Sequence, residues 1–364
     1  MNLELASAGE SHGPALVAII SGLPAGLDLD KAAIDGDLRR RQQGYGRSPR
    51  QQIETDEVEV LAGLRHGRTL GSPLALVVRN RDHRNWTWGM APWAPEGDPE
   101  GKGTKALTLP RPGHADLAGV QKYGLDDVRD ALERASARHT AVHVAAGSVA
   151  KALLAQLDIG VSGEAIREAG ADPEAVDAAR KDRDTLGGVV EVRARNVPPG
   201  LGSYARKDDR LDARFAAALM GIQAVKSVEI GDGRALAHLR GSEAHDEIYR
   251  DDARGLYRET NRAGGLEGGM SNGEEIVVRA AMKPLPTLMQ PLASVDLETG
   301  EPASALVERS DVSAVEALAV VAEGAVAWEL ARAAREKFGG DALGDFVAAH
   351  EAYRDRIDWS PRNG

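Results

Sequence analysis

The chain has 364 residues, 42% of them hydrophobic, which is room for one large or two ordinary domains with a sizeable core. It holds no cysteine, which excludes disulfides, thiolate metal sites and a cysteine nucleophile. The net charge of −11, from 45 basic and 56 acidic residues, argues against general nucleic-acid binding, because phosphate-backbone affinity comes from clustered Lys and Arg.

The start, Met1-Asn2-Leu3-Glu4, lacks the basic and apolar regions of a signal peptide, and no apolar run approaches the ~20 residues of a membrane helix. The expectation is a soluble cytoplasmic protein without a membrane partner. Gly9-Glu10-Ser11-His12-Gly13 forms a glycine-bounded turn before the apolar run 15–20, a predicted buried strand closed by Ser21-Gly22-Leu23-Pro24. A helix is predicted from Asp30 to Arg41, ending at the Gly44-Tyr45-Gly46 break. Segment 53–62 alternates as a strand, and 84–104, rich in Trp, Pro and Gly, reads as an irregular loop.

Asp126 to Asp158 is predicted as the first long helix, with Gly147 as its interruption and enough Ala, Ser and Gly to let other backbones approach closely. Asp172-Pro173-Glu174 starts another helix, and Val189–Arg195 alternates as a strand. A helix from about Asp212 leads into a strand at Val225–Ile230, and the glycine-rich segment Gly264–Gly273 precedes a strand from Glu275 to Ala281. The last long helix is predicted from near Asp311, acting as its cap, to about Lys337. It is apolar on nearly all sides, as a helix in the core or at a subunit contact would be. With no repeat and no linker visible, a single α+β domain over 1–364 is expected.

Two histidines lie in constrained turns, His12 in Gly9–Gly13 and His114 in Arg111-Pro112-Gly113-His114-Ala115-Asp116. Histidine exchanges protons near neutral pH, so the pair suggests proton transfer; alone, His12 is equally a turn histidine satisfied by backbone, and His114 equally part of a loop basic patch. Arg39, Arg40, Arg41, Arg47 and Arg50 fall within twelve positions, a local positive site in an acidic chain suited to a small polyanion. Arg41 and Arg47 bracket the glycines and are the expected inward-facing pair. In Arg134-Ala135-Ser136-Ala137-Arg138-His139-Thr140, Arg134 and Arg138 are one helical turn apart and expected to share a face. His139 and His143 have metal-ligand spacing, but without a third ligand no metal is expected. Gly264–Gly273 matches no nucleotide fingerprint and is equally a hairpin. Lys283-Pro284-Leu285-Pro286-Thr287 is a stiff extended segment suited to lie along a flat ligand.

Taken in order, Gly9–Gly13, Arg39–Arg47, Arg111–Asp116, Arg134–Thr140, Gly264–Gly273, Lys283–Thr287 and Arg309–Asp311 resemble the chorismate synthases over nearly the whole chain. The resemblance implies an α+β βαβ sandwich with helices between antiparallel sheets, assembled as a homotetramer. It implies the anti 1,4-elimination of phosphate from 5-enolpyruvylshikimate 3-phosphate to give chorismate, the last common step toward aromatic amino acids. The implied cofactor is reduced FMN, with NADPH a candidate reductant; transient electron donation helps expel phosphate without net redox change.

By the same resemblance, His12 protonates the departing phosphate, His114 serves the flavin's proton balance, and Ser11 and Asp311 form a proton relay. Arg134, Ala135, Ser136, Gln223, Ala224, Gly268, Lys283, Pro284, Leu285, Pro286, Thr287 and Arg309 line the FMN site. Arg41 and Arg47 face substrate or a nicotinamide phosphate, and Arg111 and Arg138 add charge for the substrate's anions. Ala135 and His139 depart from the family's usual Ser and Glu. The alternatives are an FMN-dependent oxidoreductase with net turnover of reductant, and a non-enzymatic phosphate-ligand or RNA-binding module built on Arg39–Arg50.

Overall fold

A computed structural model describes residues 2–48, 55–252, 255–307 and 311–357. Strands β1 (Glu4–Ala8) and β2 (Ala15–Ser21) form an antiparallel pair, followed by helix α1 (Lys31–Gln42) and strands β3 (Val58–Ala62) and β4 (Leu74–Arg79). The side chain of Asp30 accepts from Ala32 N and caps α1. Helices α2 (Asp116–Tyr123), α3 (Val128–Ala135) and α4 (Thr140–Ala155) complete the first half. The second half runs β5 (Gly160–Ala165), α5 (Pro173–Lys181), β6 (Gly188–Arg195), α6 (Leu211–Met220), β7 (Val225–Ile230), β8 (Ile276–Met282), α7 (Val315–Phe338) and α8 (Leu343–Ile357).

Two four-stranded antiparallel sheets result, in the orders β1-β2-β4-β3 and β5-β6-β8-β7. The relative order is the same in both, so the topology is duplicated although the sequence has no visible repeat. Alternation in β2 turns Leu16, Ala18 and Ile20 inward and leaves Ile19 exposed. Helix α4 packs on β2 and β4, α7 packs on β5 and β6, and the two helices pack on each other, making a sandwich of sheet, helices and sheet. Where they cross, Gly147 meets Gly324 closely enough that a Cβ on Gly147 would lie 2.4 Å from the Gly324 Cα. Beside this crossing, Arg40 grips buried Glu323 at 2.9 and 2.8 Å, and Gly163 N donates to the same carboxylate, tying α1 to α7 and β5.

Several expectations need correction. The predicted helix 126–158 breaks at Ser136, whose hydroxyl caps the following turn through Arg138 N, and Gly147 sits within continuous helix. Arg134 and Arg138 therefore share no helix face. Asp311 does not cap α7: the helix begins at Val315 after Ala314, and the Asp311 carboxylate accepts from Ser48 N at 2.6 Å. Segment 53–62 forms a strand only from Val58, residues 53–54 lying outside the described ones, and α7 is followed by the further helix α8. The burial of α7 is against the core of this chain.

Candidate active site

The turns after α1, between β4 and α2, and around Ser136 close on the ends of β7, β8 and α7, enclosing a cavity of about 610 Å³. Arg41, Arg47, Arg111, Arg138 and Lys283 line it, with His12 and His114. Leu132, Ile222, Ala224, Met282, Leu285 and Leu318 are among the apolar groups of its walls.

The cations are held from behind. Arg41 is 6% exposed; its Nε donates to Thr140 Oγ1 and its Nη2 to Ala137 O. Burial pushes its guanidinium down to about 9, Asp56 opposing and Arg138 and Arg47 adding to the effect, so it remains a cation at neutral pH. Arg138 donates to both oxygens of Asp56, at 2.6 and 2.7 Å, and to Asn80 at 2.9 Å. One buried Asp56 thus serves two guanidiniums, leaving that group net positive. Arg47 pairs with Asp311 at 3.0 Å, and burial lowers its guanidinium from the usual value. Among the described residues, its buried Nε has no hydrogen-bond partner.

Each histidine rests on a buried carboxylate. His12 Nδ1 lies 2.8 Å from Glu133 Oε1, and the ring stacks on Trp86 at 4.0 Å with 20° between planes. Burial raises the Glu133 carboxyl, but bonds from His12 and Ser11 outweigh it and hold the group below the usual carboxylate range. His114 Nδ1 lies 2.5 Å from Asp116 Oδ1, and Arg111 donates to Asp116 through Nε at 2.9 Å and to the Thr287 hydroxyl at 3.1 Å. There too burial raises the carboxyl, while His114 and Arg111 together carry it well below the ordinary value.

Of the residues expected at the site, Ser11, His12, Arg41, Arg47, Arg111, His114, Ala135, Ser136, Arg138, Gln223, Ala224, Lys283, Leu285, Pro286, Thr287 and Asp311 come together at the cavity. Arg134 is exposed and, with Pro284, is outside its lining. Gly268 sits at the turn of the Leu266–Glu267/Met270–Ser271 hairpin, also away from it. Arg309 falls outside the described residues. The Ser11 hydroxyl donates to Glu133, and the Asp311 carboxylate is turned to Arg47 and Ser48. Sequence reasoning missed Asp56, Trp86 and Glu133. His139 and His143 bond to Ser7 Oγ, each at 3.0 Å, and among the described residues no group of three or more His, Asp or Glu could hold a metal ion.

The lining suits a phosphate-bearing flavin on its own chemistry. Convergent guanidiniums would hold the phosphate, and apolar walls with the extended segment 283–287 would flank a planar ring.

A family model described as chorismate synthase matches residues 3–334. Chorismate synthases from Desulforudis audaxviator, Symbiobacterium thermophilum and Rubrobacter xylanophilus are 52%, 53% and 53% identical to the chain. The first two matches cover 98% and 96% of this chain and 98% of each relative; the third covers 98% of both. A crystal structure of chorismate synthase superposes with a TM-score of 0.77 at 36% identity, covering 98% of this chain and 99% of that one. A sandwich of this topology, a cation-lined cavity with two carboxylate-backed histidines, and similarity along almost the full length place the chain in the chorismate synthase family.

Proposed function

We propose that the chain eliminates phosphate from 5-enolpyruvylshikimate 3-phosphate to form chorismate in this cavity, with reduced FMN as cofactor. The observation that carries the site assignment is the convergence of Arg41, Arg47, Arg111, Arg138 and Lys283 with two imidazoles on one partly apolar cavity. The substrate has two carboxylates and a phosphate, and guanidinium forks bind both group types bidentately. Arg111 and Arg138 receive these anions, while Arg41 and Arg47 face substrate or a nicotinamide phosphate.

Reduced FMN, when bound, would supply transient electron density to the allylic system with no net change in oxidation state. Ala135, Ser136, Gln223, Ala224 and the segment Lys283–Thr287 would hold it. His12 gives a proton to the departing phosphate oxygen, and His114, held by Asp116, exchanges the proton that balances the flavin. Ser11 and Asp311 border the same cavity as relay groups. NADPH is the proposed reductant of the flavin, and a cytoplasmic homotetramer the proposed state. Among the described residues no helix is long and apolar enough to cross a membrane. The whole span 1–364 acts as one domain in this reading, supported by the shared packing of α4 and α7 between the sheets.

The test is anaerobic assay of purified protein with substrate and chemically reduced FMN. Many chorismate molecules per flavin are expected. Reductant consumed one for one with product would support a net oxidoreductase, and no chorismate from folded, FMN-binding protein would overturn the reading.

A further inference from the structure

We infer that Glu133 is a positioning residue that fixes the tautomer and plane of His12, so that the proton it gives leaves from Nε2. The inference deepens the proposed elimination and rests on it for the role of His12.

The Glu133 side chain is 1% exposed and accepts at both oxygens. Oε1 takes His12 Nδ1 at 2.8 Å; Oε2 takes the His12 backbone N at 2.8 Å and the Ser11 hydroxyl. Ser11 N also donates to the Glu133 carbonyl at 3.1 Å, which docks the whole histidine turn on α3. An ionised carboxylate only accepts, so Nδ1 must carry its hydrogen, and the ring exchanges protons at Nε2. Trp86 holds the ring by its face, and the Arg129 guanidinium lies over the same indole at 5.0 Å and 3.8 Å from Glu133. Edge and face together leave the imidazole one plane. When the imidazolium form passes its Nε2 proton to the phosphate oxygen, the neutral Nδ1–H tautomer remains, the form Glu133 accepts from.

The pairing differs from that of His114. Asp116 is bridged by the Arg111 guanidinium, whereas Glu133 is bonded by its histidine turn, with Arg129 standing further off. Glu133 therefore commits its acceptors to His12 and its turn, and its replacement has a defined consequence. Glutamine offers one acceptor, and two donors, His12 N and the Ser11 hydroxyl, compete for it at the Oε2 position. Its NH2 group then falls at the Oε1 position and donates to Nδ1, which forces the Nε2–H tautomer.

The experiment uses full-length protein labelled with [15N]histidine, the His12 signals being assigned by their loss in His12→Asn. Expected are an Nδ1–H tautomer in the wild type, an Nε2–H tautomer in Glu133→Gln, and partial return of Nδ1–H in Glu133→Asp. Chorismate assays of Glu133→Gln should give kcat lower by about 10²- to 10⁴-fold, the span of a general acid–base contribution, with FMN binding and KM changed by less than about threefold. An Nε2–H tautomer in the wild type overturns the inference even if the variant does not fold. A Glu133→Gln protein that keeps Nδ1–H, or that changes tautomer and keeps full kcat, also overturns it. Wild-type protein that yields no chorismate overturns the proposed function, and the tautomer measurement then still decides whether Glu133 sets His12.

Discussion

Gly147 in α4 and Gly324 in α7 touch, and the contact is lopsided: a Cβ on Gly147 would lie 2.4 Å from the Gly324 Cα, whereas one on Gly324 would lie 3.5 Å from the Gly147 Cα. Alanine in place of a helical glycine gains ~1 kcal/mol of propensity, and overpacking a core costs ~1–3 kcal/mol. Gly147→Ala should therefore lower the thermal midpoint, since backbone has to move, and Gly324→Ala should match or exceed the wild type. Equal losses in the two would contradict a crossing of this geometry.

Asp116 is the counter-charge of a buried guanidinium. Asp116→Asn leaves Arg111, 6% exposed, without it, and breaking a buried pair costs roughly 3–5 kcal/mol. Urea unfolding should show a loss of that size, with His114 freed from its Nδ1 partner and activity reduced as well. A stability change within ~0.5 kcal/mol, the range of ordinary surface substitutions, would mean that Arg111 is neutralised elsewhere.

Arg47 should discriminate sharply between guanidinium and ammonium. Arg47→Lys keeps a positive charge beside Asp311 but removes the planar fork. A hydrogen bond to a charged group is worth ~1.5–3 kcal/mol, so affinity for a phosphate-bearing ligand should fall roughly 10- to 100-fold. Titration of FMN and of substrate separately would identify which ligand it serves; unchanged affinity for both would remove Arg47 from the binding site.

Acid should weaken the fold in two stages. Burial, with His143, Arg134 and Arg41 nearby, lowers His139 to about 3, and burial and Arg134 also lower His143. A histidine lowered in the folded state is protonated first in the unfolded chain, so stability declines as pH falls from ~6.5 toward the folded value. Glu133, Asp116, Asp37 and Glu323 are depressed carboxylates, whose stabilisation is present above the unfolded value near ~4 and is lost only below it. The thermal midpoint should fall between pH 7 and pH 5, and a His139→Gln, His143→Gln double variant should fall less. An unchanged slope would acquit the pair.

Local chemistry made part of this molecule readable in sequence. Glycines at 44 and 46 marked the turn that sets Arg41 and Arg47, and Asp172-Pro173 marked the start of α5. The helix break at Ser136 was hidden because good helix formers flank it; Arg138 is bound there to Asp56 and Asn80, far away in sequence. Glu133 looks like any helical glutamate until the Ser11–His12 turn is folded onto it, 121 positions from His12. Trp86 was legible only as part of a Trp-rich loop. Helix α2 is short and buries only Asp116, too weak a periodic signal to separate from its surroundings.

The duplicated strand order acquires a meaning when the cavity is divided between the halves. Among the described residues, every arginine and both imidazoles at the cavity come from before β5, whereas the later half contributes Lys283, Asp311 and much of the apolar wall. Twin scaffolds have thus specialised, one for recognising charge and the other for shaping the floor against which a planar molecule would rest. Neither half carries a complete site, so severing the link between α4 and β5 would leave two incomplete frameworks whose chemistry returns only when they reassociate.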